Sequence, residues 1–528
     1  TQAITIDTTQ AQAYVVRGTG YRVLGKPDDA KNDFDLAIAT ATKALEANPR
    51  DVQALNTRGS AYRLKDDLDL AVANFSQALA VDSQCAESYY NRGLAYSGKG
   101  NVSQALSDFS SALTLNLQYA LALLRRGEVY SSANKDFDRA IADFSQAMVI
   151  NPQLTDAYNL RGNTYLQQQD FTHAFADFQQ AISLEPQAAD GYVNRGTAYS
   201  RKQDYDSAIA DYNKALTLDT RSATAYHRRA NIYFNKANYD LALADYTQAI
   251  AIEPKNPETY LDRGDAHKMK WEWDASIADY TQAITLDAAY ARAFQQRGSV
   301  HSRKNEWEAA IADFNQSLTL DPKNVGAYFQ RGFAHLNYKT EDWGAGIDDF
   351  GKTVALEPRY AKAYAERARM YSLTGNPDQA IADANACLAL FPSQVVALVV
   401  RGQSFRIKRN LVQANQDFER AIAAGTALLA ADPKDAETLH FRGLAYLERR
   451  KTDLALADFA QAITVDPLYA PALWARALHF EQARKYKEAR ADYERAIQID
   501  TNGLIGSVSR ERLKLLGDKG KPKDQVGD

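Results

Sequence analysis

A five-residue signature, Arg-Gly-x-Ala/Val-Tyr or a near variant, recurs fourteen times between Arg17 and Arg476, and nine of the thirteen intervals between successive arginines are 34 residues. The others are 41, 35, 36 and 41. A fixed period of this size constrains the fold more than any single motif. Each period is one supersecondary unit, too small to bury its own apolar face, so it must stack on its neighbours and build a solenoid. One compact core for 528 residues would exceed the roughly 250–300 residues at which cores stop growing, whereas a solenoid grows in one dimension. A long repetitive array presents a surface, so binding is the expected activity.

With each unit counted from six residues before its arginine, the copies define their own register. In residues 189–222, large apolar or aromatic side chains hold positions 4 and 11 (Tyr192, Tyr199), and glycine holds position 8 (Gly196). Tyr205, Ala208, Tyr212 and Ala215 follow at 17, 20, 24 and 27. Position 8 is glycine in eleven copies and alanine in three, and many copies end in Asp-Pro or Glu-Pro. The spacings 4, 8, 11 and 20, 24, 27 are helical, so each unit is two antiparallel helices with a turn near 14–16. Small residues at 8 and 20 let the helices approach, and the late proline ends the second.

This pattern resembles the tetratricopeptide repeat family in its length, its small residue at 8, its aromatic at 11, its alanines at 20 and 27 and its late proline. The resemblance implies an all-α, right-handed superhelix of about fourteen helix-turn-helix repeats with a C-terminal capping helix. The repeats start near 11, 52, 86, 120, 155, 189, 223, 257, 291, 325, 361, 395, 436 and 470 and run to 503. Residues 1–10 read as the remnant of a preceding second helix, because residues 1–14 closely match residues 281–294. Residues 504–528 read as a capping helix, around 507–517, and a disordered tail. The expectation from the start is a fragment, with a signal, anchor or catalytic domain able to lie upstream.

Four units depart from the period. Repeat 4 has one extra residue near Asn134–Asp136, which reads as a longer turn, and repeat 10 has two near 339–342. Repeats 1 and 12 each carry seven more, two helical turns, which keep the apolar face in register. Lengthened second helices are therefore expected around 30–48 and 411–431, protruding from the outer face.

The family's usual residue at position 7 is apolar. Here arginine holds it in every copy, and aspartate holds position 23 in thirteen of fourteen, with Asn74 in the remaining one. Both positions flank helix packing faces, which predicts a ladder of Arg–Asp pairs; the aspartate could come from the same or the preceding repeat. Repeats 8–10 carry His267, His301 and His335 at position 11 and Trp273, Trp307 and Trp343 at or near 17. That coupling reads as a smaller ring matched by a larger one across the pair. Stacked helices about 8–10 Å apart cannot bring three imidazoles to one ion at about 2.0–2.1 Å. No metal or other cofactor is expected. Cys85 and Cys387, nine repeats apart, read as two free thiols.

In the family, positions 2, 5, 9, 12 and 13 of the first helix face the concave groove. Amides at such positions can donate and accept along an extended peptide. The candidate groove residues are Asn159, Asn163, Arg201, His227, Asn231 and Asn235 in repeats 5–7, Gln295, Arg303, Phe329 and Phe333 in repeats 9–10, Tyr90 in repeat 3 and Trp474 in repeat 14. The family's clamp for a chaperone's C-terminal carboxylate needs Lys at position 5, which no repeat has. Its asparagine ladder at position 6 is reduced here to Asn91 and Asn194.

Composition narrows the functions. The net charge of −4 provides no global basic field for nucleic acid, and no apolar stretch nears the roughly 20 residues of a membrane span. No nucleotide loop, metal-spaced Cys/His set or nucleophile constellation is present, so no enzyme is expected within the chain. The expectation is a scaffold or adaptor holding a protein or peptide in its groove. Two alternatives stand beside it: a recruitment or regulatory array serving an upstream enzymatic or signalling domain, and a self-assembling structural rod. The cell compartment is not encoded in any of these features.

Overall fold

The computed structural model describes residues 11–339, 343–517 and 519. They form fourteen helix pairs and a final helix, Leu504–Leu516, with no strand among the described residues. The chain divides into two compact units, residues 1–232 and 233–528. Residues 1–10, and the tail beyond 517 apart from Lys519, lie outside the described residues.

Repeat 6 shows why this sequence pairs its helices. Its first helix, Ala189–Arg201, and its second, Tyr205–Leu218, bury Gly196, Ala198, Ala208, Tyr212 and Ala215 between them. A Cβ on Gly196 would lie 2.9 Å from the Tyr212 ring. Glycine at position 8 is therefore the space that the position-24 aromatic fills. Repeat 11 shows the converse: Ala384 replaces the ring, and Ala368 replaces the glycine, both fully buried. The turn reverses through a left-handed residue (Gln203, φ 63°), and the Asp204 amide donates back to the Tyr199 carbonyl at 3.0 Å.

The arginine ladder is resolved in favour of the same repeat. In the first unit Arg17, Arg92, Arg126, Arg161 and Arg195 each grip their own repeat's aspartate with Nε and Nη2 at 2.6–2.9 Å. The second unit repeats this from Arg263–Asp279 to Arg476–Asp492. In repeat 2 Arg58 bonds Asn74 at 2.7 Å. The third nitrogen, Nη1, reaches back to a polar side chain on the preceding second helix. Examples are Arg92 to Ser76 at 3.1 Å, Arg161 to Ser145 at 2.8 Å and Arg297 to Thr281 at 3.0 Å. An arginine with this back-bond ties the two helices of its own repeat together and ties that repeat to the one before; ahead of Arg367 and Arg476 the slot holds Gly351 and Ala460, which have no such side chain to offer.

The departures are absorbed without breaking this pattern. The extra residue of repeat 4 forms a π-helical turn, Tyr130–Asn134, at the end of the first helix, not a longer loop. The lengthened second helices are Pro27–Ala47 and Leu411–Ala431, 21 residues each. Their added turns pack instead of protruding freely: Leu45 joins Ala54 and Leu55, and Leu429 joins Ala436 and Leu439. The register survives, since Thr42 and Thr426, seven residues beyond the usual slot, take the back-bonds from Arg58 and Arg442 at 3.3 and 3.2 Å. In repeat 10 the first helix runs to Tyr338, and the rest of the insertion lies outside the described residues.

The second unit has two further features. Helix Val395–Ile407 buries every residue from Val395 to Val400, so its N-terminal half is apolar all round and enclosed by its neighbours. Across it, the first helices of repeats 11 and 13 approach each other: Lys362 pairs with Glu437 at 3.1 Å, and Arg369 lies 5.5 Å from the centre of the Phe441 ring. The unit also closes on itself. The Trp307 indole donates to Asp500 at 2.7 Å, and Asn305 donates to the Ile499 carbonyl at 3.4 Å, joining repeat 9 to the end of repeat 14. Gly503 belongs to this closure, because a Cβ there would collide with both Trp307 Nε1 and the Asp500 carboxylate.

Candidate binding site

Within each unit most successive first helices touch, and the side chains that reach the surface between them form the candidate site. In the first unit Asn159 is half-buried and accepts a bond from Asn194 at 3.1 Å, which joins repeats 5 and 6. Asn163, one turn further along, is half-exposed and makes no hydrogen bond among the described residues. Arg201 is exposed and donates to the Leu166 carbonyl at 3.2 Å. His227 and Asn231 are half-buried on the first helix of repeat 7. Tyr90 is a packing residue as much as a surface one, with its ring 4.9 Å from Tyr119 and 6.0 Å from Phe109.

In the second unit Asn235 is exposed. Gln295 is committed: it donates to Gln330 at 3.1 Å and accepts from Asn324 at 2.9 Å. Phe329 packs on Phe350 and Tyr360, with ring centres 5.6 and 5.1 Å away, and Phe333 joins the same cluster. Arg303 is exposed, with Asp466 at 3.9 Å. Trp474 is half-buried, and its indole N–H has no partner among the described residues. Position 5 is wedged between successive first helices, which is why its occupants are half-buried or fully enclosed, as with Leu124, Leu261 and Val399.

The histidine block works differently from a ring-for-ring exchange. His267 and His301 each bond a glutamate five residues on, Glu272 and Glu306, at 2.6 Å. Their second nitrogens face the ladder aspartates at 3.8 and 3.9 Å. Glutamate at position 16 was the sequence signal for this pairing. The three tryptophans diverge: Trp273 packs beside Ile277 and Tyr280, Trp343 donates to the Leu336 carbonyl at 3.1 Å, and Trp307 makes the closure. Both cysteines are free thiols; burial, and secondarily the charge of Glu366, pushes the Cys387 thiol up to about 11.

Sequence reasoning passed over one ionisable cluster in the second unit. Glu366 is fully buried, and burial raises its pKa; Arg369 lies 3.4 Å from it and opposes that shift. His440 is enclosed among Phe441, Phe459 and Tyr469. Burial, and then the charge of Arg369, lowers its pKa to about 3, which keeps the ring neutral.

Paired helices, a repeating internal staple and a surface carried by first helices define an α-helical repeat array. The chain belongs to the tetratricopeptide repeat family. Models described as TPR repeat or tetratricopeptide repeat match residues 59–100, 162–203, 230–270 and 298–337, residues 189–220, residues 90–154 and 442–503, and residues 361–394. Together these span most of the chain. Proteins of this family typically mediate protein–protein interactions and are usually non-catalytic. No curated protein matches the chain. Among solved structures, similarity extends to the APC/C hetero-tetramer Cut9-Hcn1 at 16% identity, covering 96% of this chain and 97% of that one with a TM-score of 0.45. Yeast Tom70 is 18% identical, covering 81% and 98% with a TM-score of 0.36. YrrB, a TPR protein with an unusual peptide-binding site, is 24% identical over 35% of this chain and 96% of its own, with a TM-score of 0.30. Among the described residues no helix is long and apolar enough to cross a membrane.

Proposed function

We propose that the chain is a non-catalytic scaffold that holds an extended segment of a protein partner on the face of its first helices, with Asn159, Asn163 and Asn231 among the contacts. The supporting observation is where hydrogen-bonding capacity is left over. The packing positions spend theirs internally, arginine on aspartate, whereas Asn163 points a half-exposed amide from the face with no partner among the described residues. A peptide backbone offers the donor and acceptor that such an amide matches.

The test is quantitative capture from the native lysate with the wild-type chain and with an Asn159→Ala, Asn163→Ala, Asn231→Ala variant of equal helicity. A partner held by the first and lost from the second supports the reading. A partner held equally by both places binding elsewhere and refutes this site.

A further inference from the structure

Arg63 stands apart from the paired arginines of the ladder. Its side chain is half-buried, its Nε is shut away from solvent without a hydrogen-bond partner, and its guanidinium makes no ion pair among the described residues. Two more arginines share its surroundings. Arg22 and Arg125 are close enough that their charges add to the lowering of the Arg63 pKa, for which burial is the larger cause. Arg22 is exposed and has no partner among the described residues. Arg125 bonds Glu128 at 2.8 Å. Three guanidiniums therefore have one bound carboxylate between them among the described residues. A partly desolvated cation without a counter-charge is costly unless something outside the chain supplies one.

The placement suits a ligand. Arg22 and Arg63 occupy position 12 of successive repeats, Arg125 lies on the first helix of repeat 4, and the first helices of repeats 1 to 4 touch in succession. Tyr90 stands beside Arg63 and Arg125, and its ring lies 4.9 Å from that of Tyr119. We propose that Arg22, Arg63 and Arg125 form a subsite for the carboxylates of an acidic peptide segment on the first-helix face of repeats 1–4. The planar guanidinium fork matches a carboxylate two bonds at a time. The cluster is local within a chain of net charge −4, which favours a short acidic segment over a nucleic-acid backbone. This inference rests on the reading that the first-helix face binds a partner segment, and it adds the charge of that segment.

The test uses defined probes, so its failure leaves the lysate result untouched. Binding of a labelled peptide of alternating glutamate and tyrosine is measured by fluorescence anisotropy at low salt. The comparisons are the same peptide with glutamine for glutamate, and a single-stranded oligonucleotide of equal charge. Expected is binding of the acidic peptide alone, weakened about tenfold or more by Arg63→Gln and weakened by salt. Arg63→Gln should also melt no lower than wild type, because it removes an unpaired charge, whereas Arg92→Gln in the ladder melts lower. Equal affinity for the two peptides, preference for the oligonucleotide, an unaffected Arg63→Gln variant, or a loss of stability in that variant equal to that of Arg92→Gln would each overturn the proposal.

Discussion

The arginine staple can be tested at Asp211. Its carboxylate is almost wholly buried and accepts Arg195 Nε and Nη2 at 2.8 and 2.7 Å; the arginine side chain is 19% exposed. In Asp211→Ala the guanidinium keeps only the back-bond to Gln179 at 2.5 Å. Leaving one partner of a buried pair uncompensated costs about 3–5 kcal/mol. The residual exposure and the Gln179 bond reduce this, so about 2–4 kcal/mol is expected. Replacing both partners, Arg195→Leu with Asp211→Leu, removes the attraction and the desolvation cost together and should fall within about 1 kcal/mol of wild type. The assay is urea denaturation read together with amide exchange in residues 189–218, since long arrays lose single-step cooperativity. Asp138→Ala, which removes an exposed acid outside the ladder, serves as the control. Equal midpoints for the single and double variants would refute the staple as the source of the energy. A single variant no weaker than Asp138→Ala would show that the pair contributes nothing measurable.

Three other outcomes follow from particular contacts. Asn74→Asp restores the carboxylate that repeat 2 lacks and gives Arg58 a charged partner, so it should raise stability by about 1 kcal/mol, seen as slower exchange in residues 52–81. Trp307→Phe removes the bond to Asp500 and should leave the helix content intact while exchange accelerates in Leu504–Leu516, the helix that follows the closure; unchanged exchange there would refute a stabilising closure. His440, with a folded pKa lowered to about 3 from 6.5, binds its proton more readily when unfolded, so its share of stability is lost as pH falls from 6.5 toward 3. At pH 5 that is about 2 kcal/mol. Glu366, whose pKa is raised, acts in the opposite sense, so the readout is the melting point of wild type relative to that of His440→Phe across pH 7 to 5, which should fall as the pH falls.

Helix pairing was legible because the spacing of 8, 11, 20 and 24 is the packing itself: Gly196 and Tyr212 specify each other sterically. The existence of the staple was legible for the same reason, but its choice of aspartate was not. An aspartate 16 residues after the arginine and one roughly 18 residues before it are equally plausible from spacing alone, and only the crossing of the two helices decides. The extra residue of repeat 4 could have lengthened the turn or distorted the helix, and local composition does not separate a π turn from a loop. Trp273, Trp307 and Trp343 look like one substitution made three times. They have three fates because Trp307 alone meets Asp500, 193 residues away, through the curvature of the second unit.

The candidate site was less legible than the fold for a reason that lies in the repeats themselves. In a periodic sequence, packing positions announce themselves by repetition, while a binding position is one that does not repeat and so looks like any free surface position. A side chain there is informative only once its neighbours are known. Gln295 and Asn163 are both amides on first helices; one is spent on Asn324 and Gln330, and the other has no partner among the described residues. Arg63 ends the same Arg-Gly-x-x-Tyr-Arg run as Arg22 and reads as an ordinary surface cation until its missing counter-charge is seen. In an array that pairs its position-7 arginines so consistently, a half-buried arginine at position 12 without a carboxylate among the described residues stands out only in the structure.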